Sequence, residues 1–208
     1  LDQSLVETLI KLSNHAEIGI VSGSDYEYIM QQCGLLTMKD QINLKLHILP
    51  CNGTMHYAPP LYREQRHQLV HENNMRTVLG DADLNKLFKK IINYQDHIVS
   101  HYDIPLTGHF VSYRASMINW CPIGRNATKQ DRESFQEFDK NFGISSFRRT
   151  VLQQIKEEFS NAKLDVTIKL GGETSFDVFP SGWDKTYALK HFPDHKIWFL
   201  GDRCGDNG

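Results

Sequence analysis

Ser22, Ser24, Lys185 and Asp202 are the residues of this sequence whose types and places suggest chemistry. Ser22-Gly23-Ser24 closes the short apolar run Ile18-Gly-Ile-Val21, and Gly201-Asp202 closes another, Ile197-Trp-Phe-Leu200. In open parallel sheets ligands bind beyond the carboxyl ends of the strands, so both clusters stand where a ligand would be met. Lys185 follows Trp183-Asp184 at the expected start of a helix, where its ammonium and the backbone N–H groups of the first turn together suit a phosphate. Each feature has an ordinary alternative. Ser-Gly-Ser after a strand is commonly a plain turn, and a lone lysine at a helix start is commonly a solvated one. The combination is more informative than any member.

Strands and helices must place these groups. Residues 1–17 read as an amphipathic helix with Leu5, Leu9, Ile10 and Leu12 at helical spacing, and a helix is expected from Asp25 after the buried strand at 18–23. Residues 46–50 form a second apolar run, closed by the turn signal Asn52-Gly53. From 57 to 82 the chain is polar and irregular, with Pro59-Pro60 and Asn73-Asn74, and reads as a long excursion carrying some helix. A helix over 83–102 has an apolar face of Leu84, Leu87, Phe88, Ile91, Ile92, Ile98 and Val99. Residues 108–121 alternate as strands do, and helices are expected near 128–140 and 144–160, the first opened by a capping-box pattern, Thr128-Lys-Gln-Asp131. Residues 164–170 and 174–180 read as a hairpin about Gly171-Gly172, followed by a helix from Trp183 and an apolar strand at 197–202. The order is α/β, then α+β, then α/β again, which is the pattern of a domain inserted into a parallel-sheet domain. The expected division is residues 1–56 and 182–208 for the core and 57–181 for the insertion.

Composition bounds the partners. With 208 residues, 40% hydrophobic and 23% charged, the chain has the make-up of a globular protein. A net charge of −2 gives no general affinity for nucleic acid or for an anionic membrane, so any anionic ligand must meet a local basic cluster. No run of 18 apolar residues is present to span a bilayer. The four cysteines, Cys33, Cys51, Cys121 and Cys204, are far apart and form no CxxC, which favours free thiols over a zinc site or a disulfide framework. The sequons Asn52-Gly-Thr54 and Asn126-Ala-Thr128 read as chance matches.

A strand-end serine, a helix-start lysine and a strand-end Gly-Asp together resemble motifs two, three and four of the haloacid-dehalogenase superfamily. Two stretches narrow the resemblance to the cap domain of eukaryotic-type phosphomannomutases. One is Pro122-Ile-Gly-Arg125, with Arg132 seven residues on and Arg114 eleven before. The other is Gly171-Gly-Glu-Thr-Ser-Phe-Asp-Val-Phe-Pro-Ser-Gly-Trp-Asp-Lys185. The resemblance runs over nearly the whole chain and is weakest at 57–82. It implies a haloacid-dehalogenase-like Rossmannoid core with an inserted α+β cap domain. It implies that Ser22, Ser24 and Lys185 support the transferred phosphoryl group and that Asp202 helps hold Mg2+. Arg114, Arg125 and Arg132 would hold the distal phosphate of a hexose 1,6-bisphosphate activator, and Ser175 and Asp177 would bond the sugar hydroxyls near it. The residue chemistry agrees: Ser175 and Asp177 are two apart on a strand and share a face, and arginines make bidentate contacts to phosphate. Isolated arginines are ordinarily solvent-facing, and Arg132 is also spaced to bond Gln136 one helical turn on. The implied activity is the interconversion of mannose 6-phosphate and mannose 1-phosphate through an aspartyl-phosphate, supplying GDP-mannose, in a cytoplasmic homodimer joined through the cap. Cap closure would exclude water from the intermediate.

One motif departs from the pattern. Asp-x-Asp-x-Thr, which would carry the nucleophile and the acid/base aspartate, does not occur in the sequence, so it is expected upstream of Leu1, and these 208 residues are not expected to transfer phosphoryl groups alone. At the other end the resemblance would continue with Asn-Asp and further metal contacts. Arg203 stands where a lysine is usual, and Asp206 does not match the metal-loop aspartate. Two other readings stay open: a sugar-phosphate phosphatase on the same scaffold, which needs no second phosphate site, and a non-catalytic sugar-phosphate binder that has lost its first motif.

Overall fold

The computed structural model describes residues 2–38, 40–62 and 65–201. The chain divides into two compact units, one of Leu1–Asn73 with Gly182–Leu200 and a second built on Asn74–Ser181.

In the first unit, Asp2 caps α1 (Gln3–Ser13) by accepting from the Leu5 N–H at 2.8 Å. β1 (Ile18–Val21) leads to α2 (Tyr26–Thr37), which Asp25 caps in the same way, and then to the short α3 (Asp40–Asn43). β2 (Leu46–Leu49), β3 (Met55–Ala58) and β4 (Gln68–Glu72) complete a sheet in the order β1-β2-β3-β4. β1 and β2 run parallel, while β3 and β4 are antiparallel to their neighbours. β2 is buried along its whole length, as a continuous apolar run predicts for a strand covered on both faces. Leu46 and Ile48 face Val6, Ile29, Leu36 and Ile42 from the helices. On the opposite face His47 and His56 meet the ring of Phe192, just after a 3-10 helix at Lys185–His191.

The second unit opens with α4 (Met75–His101), interrupted at Gly80, where φ is 74° and ψ 162°. β5 (Val111–Tyr113), β6 (Ile118–Trp120), α5 (Lys129–Asn141), α6 (Phe147–Asn161), β7 (Val166–Gly171) and β8 (Ser175–Pro180) follow. The sheet is antiparallel throughout, in the order β5-β6-β8-β7. α4 buries Leu84, Leu87, Ile91, Gln95 and Ile98, one stripe at spacings of three and four. Gln95 is polar within that stripe because it accepts from Trp120 Nε1 at 2.7 Å and donates to the Pro122 carbonyl at 3.0 Å. Trp120 in turn stacks on Phe176. Thr128 and Asp131 form the expected capping box at the start of α5.

Three expectations change. Residues 57–73, taken for part of the insertion from their polar composition, complete β3 and supply β4 to the first unit's sheet, so the division falls at Asn73 and Asn74 rather than at 57. β4 is an exposed edge strand, and the composition of an edge does not announce itself as apolar. α4 starts eight residues before the expected 83, since the Gly80 break hides its first turn from a periodicity count. The apolar run Ile197–Leu200 is not a strand; Trp198 is 80% exposed there. A strand needs a neighbouring ladder to satisfy its backbone, and among the described residues none pairs with this run. No helix among the described residues is long and apolar enough to cross a membrane.

Candidate functional site

In the first unit the loop after β1 is stitched to the loop after β2. Ser22 N–H donates to the Leu49 carbonyl at 3.2 Å, Cys51 N–H to the Ser24 carbonyl at 2.9 Å, and Asn52 N–H to the Ser22 carbonyl at 2.7 Å. Within the loop, the Ser24 N–H donates to Ser22 Oγ at 3.1 Å. Ser22 and Ser24 therefore share one rigid turn at the carboxyl end of a parallel pair, the position where such sheets bind ligands.

Lys185 belongs to the same unit. It is the first residue of the 3-10 helix, capped by Asp184, whose carboxylate accepts from the Thr186 N–H and hydroxyl. The helix rests on the turn at Cys51–Gly53. Asn52 Nδ2 donates to the Trp183 carbonyl at 3.1 Å, and His191 bonds the Gly53 carbonyl at 2.7 Å. A Cβ on Gly53 would lie 2.6 Å from Ala188 Cα, so only glycine, here at φ +86°, allows this approach. Around the contact sits a chain of imidazoles that sequence reading passed over. His47 Nδ1 and His56 Nε2 are 2.8 Å apart, and His191 packs on the rings of both His56 and His71. Burial, followed by the charge of His191, pushes His56 down to about 4, and burial also lowers His47, His67 and His71. Their signal was available: His47 alternates with Leu46 and Ile48 and so had to sit on the strand's other face.

In the second unit the site residues meet on one face of the sheet. The register aligns Ser112, Asn119, Asp177 and Lys169 in a single row across all four strands, while their neighbours Trp120, Phe176, Ile168 and Val178 turn to the core. Asn119 is the hub. Its Nδ2 donates to Asp177 Oδ1 at 2.7 Å and to Ser175 Oγ at 3.1 Å, and its Oδ1 accepts from Arg125 Nη1 at 2.7 Å. Arg132, in the first turn of α5, donates to Thr174 Oγ1, the Arg125 carbonyl and the Ala127 carbonyl. All three acceptors are neutral, so these bonds orient the guanidinium without neutralising it. Gln136, the alternative partner of Arg132, donates instead to Glu173. Gly171, paired with Ser175, lies diagonally from Asp177 across the hairpin, and a Cβ there would come within 2.8 Å of the carboxylate.

The structure thus brings Arg125, Arg132, Ser175 and Asp177 into one network. Arg114 stands in the turn between β5 and β6, where its N–H donates to the Met117 carbonyl at 2.8 Å. Asn119, Thr174 and Lys169 were not anticipated; Asn119 lay between apolar neighbours where only the register gives it meaning. A further arginine, Arg148, has a different part. It forms a buried ion pair with Asp139 at 2.9 Å and donates to the Gly172 carbonyl, tying α5, α6 and the β7–β8 turn together. Asp202, expected to hold Mg2+, lies outside the described residues, as do Arg203 and Asp206. Among the described residues no three His, Cys, Asp or Glu side chains converge as metal ligands.

The side chains of each unit are of kinds that meet phosphate and hydroxyl groups. Hydroxyls and an ammonium suit a phosphoryl group, while guanidinium, carboxylate and hydroxyl on a sheet face suit a phosphate and vicinal hydroxyls. Comparison with known proteins is consistent with this. The model of the family "eukaryotic phosphomannomutase" matches residues 5–208. Phosphomannomutase from Triticum aestivum is 34% identical over 206 residues, covering 98% of this chain and 75% of that protein. Phosphomannomutase 1 from Dictyostelium discoideum is 37% identical over 199 residues, covering 94% and 72%. Among solved structures, Plasmodium falciparum IMP-nucleotidase aligns with a TM-score of 0.57 at 13% identity, over 91% of this chain and 50% of that one. The C-terminal domain of Candida albicans trehalose-6-phosphate phosphatase aligns with a TM-score of 0.52 at 14% identity, over 91% and 52%. This chain spans about half the length of those solved chains, and the likeness is one of fold.

Proposed function

The chain belongs to the eukaryotic phosphomannomutase family, and from that premise we propose that it serves the interconversion of mannose 6-phosphate and mannose 1-phosphate. Its fold is the haloacid-dehalogenase-like α/β type. In this reading Ser22, Ser24 and Lys185 hold the phosphoryl group in transit, and the second unit, the cap, holds the phosphate at the other end of the sugar through Arg114, Arg125 and Arg132. Ser175 and Asp177 bond the sugar hydroxyls. A hexose 1,6-bisphosphate gives one phosphoryl group to a carboxylate, breaking the P–O bond to the sugar. The free 6-hydroxyl of mannose 1-phosphate takes that group from the carboxylate, and the bisphosphate so formed turns and returns its 1-phosphoryl group to the carboxylate, leaving mannose 6-phosphate. That carboxylate is assigned to no residue of this chain. Mg2+, when bound, neutralises charge on the phosphoryl oxygens, and Asp202 is the residue assigned to it. A homodimer through the cap and a cytoplasmic location complete the proposal. Cys33 and Cys121 are free thiols, as a reducing compartment favours.

The observation that carries the proposal is the Arg125–Asn119–Asp177–Ser175 network with Arg132 beside it. A phosphatase has one phosphate to hold and needs no such second set. The test is 31P NMR of the protein with mannose 1-phosphate, Mg2+ and hexose 1,6-bisphosphate, alongside calorimetric titration of the bisphosphate. Appearance of mannose 6-phosphate supports the mutase. Release of inorganic phosphate without the isomer assigns a phosphatase, and tight binding of the bisphosphate without turnover is the result expected of residues that carry no Asp-x-Asp-x-Thr and supports the second phosphate site. Absence of both binding and turnover overturns all three.

A further inference from the structure

The dipeptide Asn52-Gly53 marks a tight turn, yet its two side-chain positions are spent on holding another segment. Asn52 is 6% exposed, adopts a left-handed backbone with φ 64°, and makes bonds in two directions. Its N–H donates to the carbonyl of Ser22, and its side-chain amide donates to the carbonyl of Trp183, two residues before Lys185. Gly53 follows with its close approach to Ala188 and its carbonyl on His191. The Lys185–His191 helix is thus anchored just before its start, at its middle and at its end by two consecutive residues. The anchor at the start is the one nearest Lys185.

We propose that Asn52 is a positioning residue for phosphate binding, fixing the serine turn after β1 and the lysine of the 3-10 helix relative to one another. This rests on the reading of Ser22 and Lys185 as phosphate ligands. The side-chain chemistry is restrictive. The position needs a left-handed backbone, which asparagine tolerates better than most residues. It needs a donor one methylene from Cα to reach the Trp183 carbonyl. Aspartate matches the shape but brings a second acceptor against that carbonyl. Glycine keeps the backbone and deletes the donor. The buried amide also explains why the sequon Asn52-Gly-Thr54 is unsuited to glycosylation in the folded chain.

The test is a double-mutant cycle on the full chain, read by titration with inorganic phosphate and accompanied by thermal melts. Asn52→Gly and Lys185→Ala each weaken phosphate binding about tenfold, the size of one hydrogen bond or exposed charge contact. The double variant is no weaker than Lys185→Ala alone, because Asn52 acts through that lysine. A residue with a merely structural part would give additive losses, and additivity overturns the proposal. Wild-type affinity in Asn52→Gly overturns it as well. If Asn52→Gly does not fold, Asn52→Asp, which preserves the side-chain shape, carries the same cycle. Failure of the underlying reading looks different: wild-type protein that ignores phosphate, or binding that Lys185→Ala leaves untouched, removes Lys185 as a ligand and the proposal with it.

Discussion

The two units hold their candidate phosphate ligands by different means. In the first, Ser22 and Ser24 are fixed by main-chain hydrogen bonds and the approach to Lys185 by one buried side-chain amide, Asn52, on a main-chain carbonyl, with a glycine allowing backbone to press on backbone. In the second, Arg125, Arg132, Ser175 and Asp177 are fixed by side chains bonding side chains, with Asn119 and Thr174 as intermediaries. Backbone positioning ties the site to the fold, so damage to one should be damage to both. Side-chain positioning separates them, and a site built that way can lose function while the fold survives.

Gly53→Ala tests the first half of that contrast and has the largest expected effect. The added Cβ meets Ala188 Cα, Cβ and N at 2.6 to 2.8 Å, and the backbone sits at φ +86°. Backbone atoms cannot swing aside as a side chain can. A left-handed alanine and an overpacked contact together cost about 3 kcal/mol or more. Denaturant unfolding of the variant should show a midpoint lowered accordingly, with phosphate binding lost in step. A near-native midpoint would show that the helix is held by something other than this turn.

Acidification strikes the same unit. His56, pushed down to about 4 by burial and then by His191, His47 and His71, is neutral when folded, and its neighbours His47, His67 and His71 are lowered too. Glu17, 3.3 Å from His47, opposes the shift there without reversing it. Because the folded values lie below the unfolded value of 6.5, the unfolded chain takes up more protons in the window between them. The stability is fully present above pH 6.5 and is lost as pH falls toward 4. Melting temperature should drop across that window, and His56→Asn, which cannot titrate, should flatten the slope. An unchanged slope in the variant would remove His56 from the account.

How much of this was legible in the sequence follows the same contrast. The strand ends, the capping box at Thr128 and the β7–β8 hairpin depend on local chemistry, and local chemistry is written in consecutive residues. Ser175 and Asp177 share a face by alternation alone, and Arg125 and Arg132 could be paired by their spacing in the family pattern. Asn119 could not be found this way: its importance comes from lying opposite Asp177 on a neighbouring strand, and register between strands separated by 58 residues is a tertiary fact. The same holds for β4, a polar edge strand recognised only by its partner, and for Ile197–Leu200, whose apolar character predicts a strand that has no ladder among the described residues.

Asn119→Ala probes the second unit's hub. Three hydrogen bonds are removed from a residue that is 4% exposed, but Asp177 and Ser175 are half-buried and Arg125 is exposed, so water can replace part of what is lost. The expected destabilisation is about 1–2 kcal/mol. Hexose 1,6-bisphosphate affinity should fall by more than stability does, since Arg125 and Asp177 both lose their common orienting partner. Calorimetric titration beside a denaturant melt measures the two. Intact affinity with a weakened fold would make Asn119 a structural residue only.

Gly171→Ala has the smallest expected effect on the fold and is the sharpest counterpart to Gly53→Ala. An added Cβ is crowded at both positions, but here the obstructed atoms are the Asp177 carboxylate, at 2.8 Å, and not backbone. The backbone at Gly171 lies within a regular strand pair with Ser175, so an alanine is not strained there. A half-buried side chain can turn about its Cα–Cβ bond and carry the carboxylate away, and the cost to stability should stay within about 1 kcal/mol. What the rotation breaks is the bond from Asn119 Nδ2 to Asp177, and with it the placement of the group assigned to the sugar hydroxyls. The variant should therefore melt close to wild type while binding hexose phosphate several-fold more weakly, on the scale of one hydrogen bond. A large drop in melting temperature with unchanged affinity would reverse the contrast, making the second unit's site as dependent on its backbone as the first.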